Sequence, residues 1–86
     1  MPRVSYFYGI AIYMYYREHL PPHFHAIYGE HEALVGIETL AILEGRMPAR
    51  ALGLIIEWAS LHQPDLRRAW QQALTHQLID PIESLA

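Results

Sequence analysis

The hydrophobic pattern changes its period at Pro48, and this change restricts the fold more than any other feature of the sequence. Before Pro48, short runs rich in β-branched and aromatic residues are separated by Gly and Pro, which is typical of strands joined by turns. After it, apolar residues recur three and four positions apart, which is typical of amphipathic helices. Because strands and helices are segregated along the chain, the sequence predicts an α+β fold. We expect an antiparallel sheet of three to five strands, with two C-terminal helices packed on one face.

The chain has 86 residues, which is enough for one hydrophobic core, so we expect a single domain over residues 1–86. Its parts follow the same change of pattern. They are strands over about 4–43, helices over about 48–62 and 64–77, and a loosely held tail over 79–86.

Local signals support the two helices. Pro48 and Pro64 each suit the first turn of a helix, where the missing N–H would have no partner in any case. Asp65 would face the positive end of the second helix dipole. Gly53 costs about 1 kcal/mol relative to alanine inside a helix, so its presence predicts a close approach of the first helix to another element.

Composition excludes several classes of function. The chain has no cysteine, which removes disulfides, zinc–cysteine sites and thiol nucleophiles. The net charge is −3 and every basic residue is arginine, which disfavours a nucleic-acid partner because phosphate contacts dominate such binding. No secretory signal and no apolar run long enough to span a bilayer are present, so we expect a cytoplasmic protein without a membrane partner.

Histidine is concentrated in one part of the chain. Four of the six histidines fall within thirteen residues, at His19, His23, His25 and His31. The double proline Pro21–Pro22 lies inside this stretch, and we expect it to end one strand and to direct the next, because proline cannot donate to a central ladder. The following segment, HFHAIY, is the next predicted strand.

The alternation of a strand orders these side chains. His23 and His25 share one face of the predicted strand, while Phe24 points to the other. If Tyr28 pairs with His31 across a two-residue turn, the face of Phe24 is uniformly apolar and forms the floor for the helices. The histidines then lie on the face that the helices leave uncovered.

The same register predicts the neighbours of the histidines. Glu32 would lie diagonally across from His25, within reach of a carboxylate–imidazole hydrogen bond. A simple register for the preceding hairpin would place Met14 and Tyr16 beside the two histidines. A shift of one residue would exchange the two faces. The loop at the same end contributes Arg17, Glu18 and His19.

A divalent metal such as zinc is one cofactor that this cluster could bind. Two imidazoles at positions i and i+2 of a strand point the same way, as His23 and His25 would. His19 or Glu32 could supply a third ligand and leave an open position for water. The candidate metal ligands are therefore His19, His23, His25 and Glu32.

Acid–base catalysis is a second hypothesis, with or without a metal. One histidine of the pair His23 and His25 could act as the base and the other as the acid in phosphodiester cleavage. Arg17 or Arg3 would then hold the phosphate. This hypothesis describes a ribonuclease-type toxin, and it leaves open whether the protein is an enzyme.

A docking surface is the third hypothesis, and the one that we favour from the sequence. Apolar residues on the same predicted face would need a cover, and they are Met14, Tyr16, Ile27 and Leu34. The cover would be a small partner protein or, in a homodimer, a second copy of this chain.

Several motifs together resemble a widespread bacterial family, domain of unknown function 4160. The motifs are Phe7-Tyr8-Gly9, Pro21-Pro22-His23-Phe24-His25, Tyr28-Gly29-Glu30, and Leu43-Glu44-Gly45 with Pro48 before the helix. The similarity extends over about residues 3–70, and His19, His23 and His25 match histidine positions of the family. His31 and Gly53 look like departures from it.

The resemblance implies a genetic context rather than a reaction. Members of the family resemble components of small two-gene, toxin–antitoxin-like operons. This implies a protein-interaction module that acts on an operon-encoded partner through its histidine-bearing sheet face. The ribonuclease-type toxin and the metal-binding protein remain the alternatives.

Overall fold

The computed structural model describes residues 2–16 and 18–85, which form five strands and two helices. Arg17 lies outside the described residues, so the predicted role of its side chain stays a prediction. The elements are β1 (Arg3–Phe7), β2 (Ile10–Tyr13), β3 (His23–Tyr28), β4 (His31–Gly36), β5 (Ile42–Gly45), α1 (Ala49–Leu61) and α2 (Gln63–Leu74).

The strands form one antiparallel meander in the order β1-β2-β3-β4-β5, so each strand pairs with its neighbour in sequence. Both helices follow the last strand and contribute buried residues to the same core as the sheet. The predicted α+β fold is therefore confirmed. Among the described residues, neither helix has the length and apolar character needed to cross a membrane.

The register between β3 and β4 is the one that the sequence predicts. Tyr28 pairs with His31, and His25 pairs with Leu34. Gly29 begins the two-residue turn with a φ of 60°, a left-handed conformation that glycine adopts without a steric cost. Because this short turn fixes the register, Phe24 lies on the core face and His25 on the opposite face.

The predicted register between β2 and β3 is wrong by one residue. Tyr13, rather than Met14, pairs with His25, and Met14 is fully buried in the core. Tyr16 contacts the C-terminal segment instead: its hydroxyl donates a hydrogen bond to the carbonyl oxygen of Gln77 at 3.1 Å, and its ring stacks on that of His76. A long connection joins these two strands, so no short turn specifies which residues face each other.

The core lies between one face of the sheet and the two helices. Trp58 of α1 is its largest fully buried side chain, and its ring lies 5.3 Å from that of Phe7 and 5.7 Å from that of Phe24. The other fully or almost fully buried apolar residues include Val4, Ile10, Ile12, Ala26, Ala33, Val35, Ile37, Ile55, Leu66 and Ala69.

The C-terminal segment is packed onto the domain, so the expectation of a loosely held tail is wrong. Ile79 and Ile82 are buried. The backbone N–H of Ile82 donates to the carbonyl oxygen of Val4 at 2.7 Å. The indole N–H of Trp58 donates to the backbone carbonyl oxygen of Glu83 at 2.8 Å. Two apolar side chains and two hydrogen bonds thus attach the segment to β1 and α1.

Gly53 does not mark a close approach, which corrects the expectation from the sequence. A Cβ atom at Gly53 would have no atom within 4 Å, because this side of α1 faces solvent. Gly45, in contrast, occupies a position that only glycine can fill without strain. Its φ is +90°, and an added Cβ would collide with the backbone carbonyl of Glu32.

These two glycines should respond oppositely to replacement by alanine. We expect Gly53→Ala to raise the free energy of unfolding by about 0.5–1 kcal/mol, since it removes the entropy cost of a helical glycine. Gly45→Ala should lower it by about 1–3 kcal/mol, because the backbone conformation becomes strained. Urea unfolding of both variants would measure the difference, and equal effects would contradict this interpretation of Gly45.

Candidate metal centre

Three side chains converge at the start of β3 on the sheet face opposite Phe24. His23 and His25 belong to the strand, and Glu18 belongs to the loop that leads into it. One nitrogen or oxygen atom from each of the three lies within 4.8 Å of the other two. The Oε1 atom of Glu18 lies 2.5 Å from Nε2 of His25 and 3.5 Å from Nε2 of His23.

The ring of His23 is held so that Nε2 faces this cluster. Its Nδ1 lies 2.8 Å from the carbonyl oxygen of Pro21. A carbonyl can only accept, so Nδ1 carries a proton, and in the neutral form of the ring the lone pair lies on Nε2. His23 is 3% exposed, and its Nε2 is buried with no hydrogen-bond partner among residues 2–16 and 18–85.

Glu18, a charged neighbour of this nitrogen, offers it only a poor hydrogen bond. Oε1 of Glu18, at 3.5 Å from Nε2 of His23, is too distant for a well-formed bond. A carboxylate oxygen is itself an acceptor, so it does not satisfy the lone pair of a neutral imidazole. Leaving a buried polar group unsatisfied costs about 1–3 kcal/mol. A cation between these atoms would satisfy both.

His25 lies between two carboxylates. Its Nε2 faces Glu18, and its Nδ1 lies 3.3 Å from Oε2 of Glu32. A neutral imidazole has one N–H and can donate to only one of them. The other contact therefore needs a second proton or a metal ion.

Electrostatics favour the ionised form of Glu18. Burial alone would raise its pKa, but the hydrogen bond to His25 and the attraction that both imidazoles exert in their protonated form outweigh burial and hold the pKa below its usual value. Glu18 is therefore a carboxylate at neutral pH, which is the form that binds a metal ion.

Aromatic rings enclose the two imidazoles. Tyr15 meets His25 edge-on, with ring centroids 4.3 Å apart, and Trp70 of α2 lies 5.4 Å from His23. The expectation that the helices leave this face uncovered is therefore wrong at His23, because Trp70 of α2 packs against its ring. Burial, followed by the charge of Glu32, raises the pKa of Tyr15, so its hydroxyl remains neutral.

The cluster opens into a pocket of about 420 Å³. His19 is exposed and lines this pocket, although it is outside the group of converging ligand atoms. Glu32 also lines the pocket, where it contacts the outer nitrogen of His25 rather than the side that faces Glu18. The remaining lining residues are Leu34, Glu44 and Gly45.

The structure thus brings together His23, His25 and Glu32 from the predicted set and adds Glu18. The sequence places Glu18 on the loop but does not distinguish it from its neighbour His19 as the residue that turns inward. The signal for Glu18 is the spacing Glu-x₄-His-x-His, which becomes informative only when the path of the loop is known.

The fold and the cluster define a small α+β protein with two histidines and one carboxylate converging beside a meander sheet. A family model described as "Domain of unknown function (DUF4160)" matches residues 9–71. This match covers more than half of the chain, so the protein belongs to the DUF4160 family, as the sequence motifs indicate. No curated protein and no solved structure matches the chain significantly.

Proposed function

We propose that this protein binds a divalent transition-metal ion through His23, His25 and Glu18. The observation that carries the proposal concerns Nε2 of His23, which is buried, has no hydrogen-bond partner within the described part of the chain, and faces a carboxylate oxygen of Glu18. A metal ion is the partner that this lone pair and this anion would share. His25 would supply a further ligand atom of the same converging group.

The surroundings of the cluster are those that metal-binding histidines need. The second nitrogen of a metal-bound histidine usually donates to a carbonyl or a carboxylate, which fixes the ring and its tautomer. His23 has the carbonyl oxygen of Pro21, and His25 has Glu32. Two histidines and one carboxylate bind catalytic zinc and non-haem iron in other proteins, with at least one position left open. All three residues also line the pocket.

Zinc titration tests the proposal directly. Isothermal titration calorimetry with Zn²⁺ should give one site per chain, and the NMR signals of the His23 and His25 rings should shift as that site fills. Glu18→Gln keeps the shape of the side chain and removes its charge, so we expect at least about a hundredfold loss of affinity. Altering a residue that only supports a ligand already costs about 10–100-fold.

Matched variants control the zinc titration. Glu30→Gln removes an exposed carboxylate at the β3–β4 turn, and His62→Gln removes an imidazole near the end of α1. Neither residue belongs to the converging group, so both variants should bind zinc as the unaltered protein does. Zinc affinity that is unchanged in Glu18→Gln would exclude this site.

The partner-protein hypothesis stays a prediction, and a different surface supports it. All four residues of β5 are exposed, and among the described strands β5 pairs only with β4. A free edge of this kind accepts an added strand. Co-purification with the operon neighbour, repeated with Ile42→Glu and Leu43→Glu together, would test it; undiminished capture would place the interface elsewhere.

The charge of the pocket does not support the ribonuclease hypothesis. Among the described residues, the pocket is lined by three glutamates and by no arginine or lysine, whereas a phosphodiester needs positive groups around it. Arg17, which the sequence assigns to the phosphate, lies outside the described residues. RNA integrity after expression of the protein and of a His23→Ala, His25→Ala variant would test this hypothesis.

A further inference from the structure

Two carboxylates surround the mouth of the metal pocket without belonging to the converging group. Glu44 of β5 pairs with Leu34, and Leu34 pairs with His25, so these three residues form one row across three strands. Glu32 lies two positions from Leu34 and therefore on the same face. Its side chain is 52% exposed, and Glu44 is also exposed.

The charges in this pocket determine which ligands it can accept. A divalent ion would offset the charge of Glu18 and of one outer carboxylate, so the metal-loaded pocket would keep one negative charge. A phosphate or a carboxylate that approached the metal would meet Glu32 and Glu44. A ligand with a positive group would instead form an ion pair with one or both of them.

The volume of the pocket sets the size of that ligand. A volume of about 420 Å³ falls in the range of pockets that hold small organic molecules. Such a pocket has room for one group that coordinates the metal and for a short cationic tail.

We propose that the metal-loaded pocket selects a small molecule, or a side chain, that coordinates the metal and carries an ammonium or guanidinium group for Glu32 and Glu44. This proposal rests on the metal site proposed above. In this proposal, the carboxylates of Glu32 and Glu44 recognise the cationic group of the ligand. Glu32 would do so in addition to contacting His25.

Three hydroxamates with different tails test the proposal on the Zn²⁺-loaded protein. They share one metal-coordinating group. The tail is an ammonium in γ-aminobutyrohydroxamate, an uncharged methyl in butyrohydroxamate and a carboxylate in succinic monohydroxamate. Two partly exposed ion pairs should make the ammonium compound bind about tenfold more tightly than the uncharged one. The carboxylate compound should bind the most weakly.

Glu44→Gln separates ligand recognition from metal binding. Glu44 is outside the group of metal-ligating atoms, so this variant should bind zinc and butyrohydroxamate normally. Its preference for the ammonium tail should fall to about threefold or less, since one ion pair is lost. Glu30→Gln serves as the control, because Glu30 is an exposed carboxylate that does not line the pocket, and it should keep the full preference.

The outcomes distinguish the two proposals. Absence of zinc binding would overturn both the metal site and the ligand class. Normal zinc binding with equal hydroxamate affinities, or with a preference for the carboxylate tail, would overturn only the ligand class. A full ammonium preference in Glu44→Gln would remove Glu44 from the recognition of the ligand.

Discussion

Replacing Trp58 with alanine should lower the free energy of unfolding by about 3–5 kcal/mol, the usual cost of truncating a buried aromatic side chain. The side chain is 0% exposed and contacts the rings of Phe7 and Phe24. Its indole N–H also donates to the carbonyl oxygen of Glu83. The alanine variant would therefore lose contacts with the sheet and with the C-terminal segment together. Urea unfolding followed by circular dichroism would measure the loss.

Trp58→Phe separates these contributions. Phenylalanine keeps an aromatic ring in the core but cannot donate to Glu83, so its cost should be smaller, about 1–3 kcal/mol. Leu78→Ala is the control for truncation of an apolar side chain, since Leu78 is 86% exposed and its replacement should change stability by less than about 0.5 kcal/mol. A loss below about 1 kcal/mol in Trp58→Ala would mean that this tryptophan is not central to the core.

Zinc should stabilise the folded protein by an amount that follows from mass action. At a free Zn²⁺ concentration one hundred times the Kd, the free energy of unfolding should rise by about 2.7 kcal/mol. For a domain of this length, that increase corresponds to about 10–20 °C in the Tm. A thermal scan with and without zinc would measure it. Glu18→Gln should show little of the increase at the same zinc concentration, because its site would remain largely empty.

Magnesium is the control ion for this measurement. Mg²⁺ prefers oxygen ligands in an octahedron and binds imidazole poorly, so it should leave the Tm unchanged at the same concentration. An equal increase with Mg²⁺ would indicate a general effect of charge on an acidic protein. An equal zinc effect in Glu18→Gln would place the ion elsewhere on the surface.

The fold could be predicted because the change of hydrophobic period reflects where side chains are buried. Register could be predicted only where a short turn fixes it. The Gly29–Glu30 turn sets the pairing of β3 with β4, so the faces of Phe24 and His25 follow directly. The connection between β2 and β3 is long, and no local rule decides whether Tyr13 or Met14 faces His25. The structure resolves that choice by burying Met14.

The residues of the candidate site also differ in whether a local pattern of the sequence predicts their positions. His23 and His25 are placed by strand alternation, which is a local property of the sequence. Glu18 and His19 are adjacent on a loop. The sequence alone does not decide which of the two side chains turns toward His23 and His25. The choice of Glu18 depends on the three-dimensional path of that loop. Trp70 covers His23 because of the position of α2 in the folded protein. The alternation of residues along a strand does not predict that position.

The attachment of the C-terminal segment also restricts when the domain can become stable during synthesis. Ile82 forms a hydrogen bond with Val4, although the two residues are far apart in the sequence, and Glu83 forms one with Trp58. While Ile82 and Glu83 are still inside the ribosome, β1 and α1 lack the hydrogen bonds that these two residues supply. Contacts that join distant parts of a sequence form slowly because closing a long loop costs entropy. The domain should therefore reach its full protection from proteases only after residue 83 has left the ribosome.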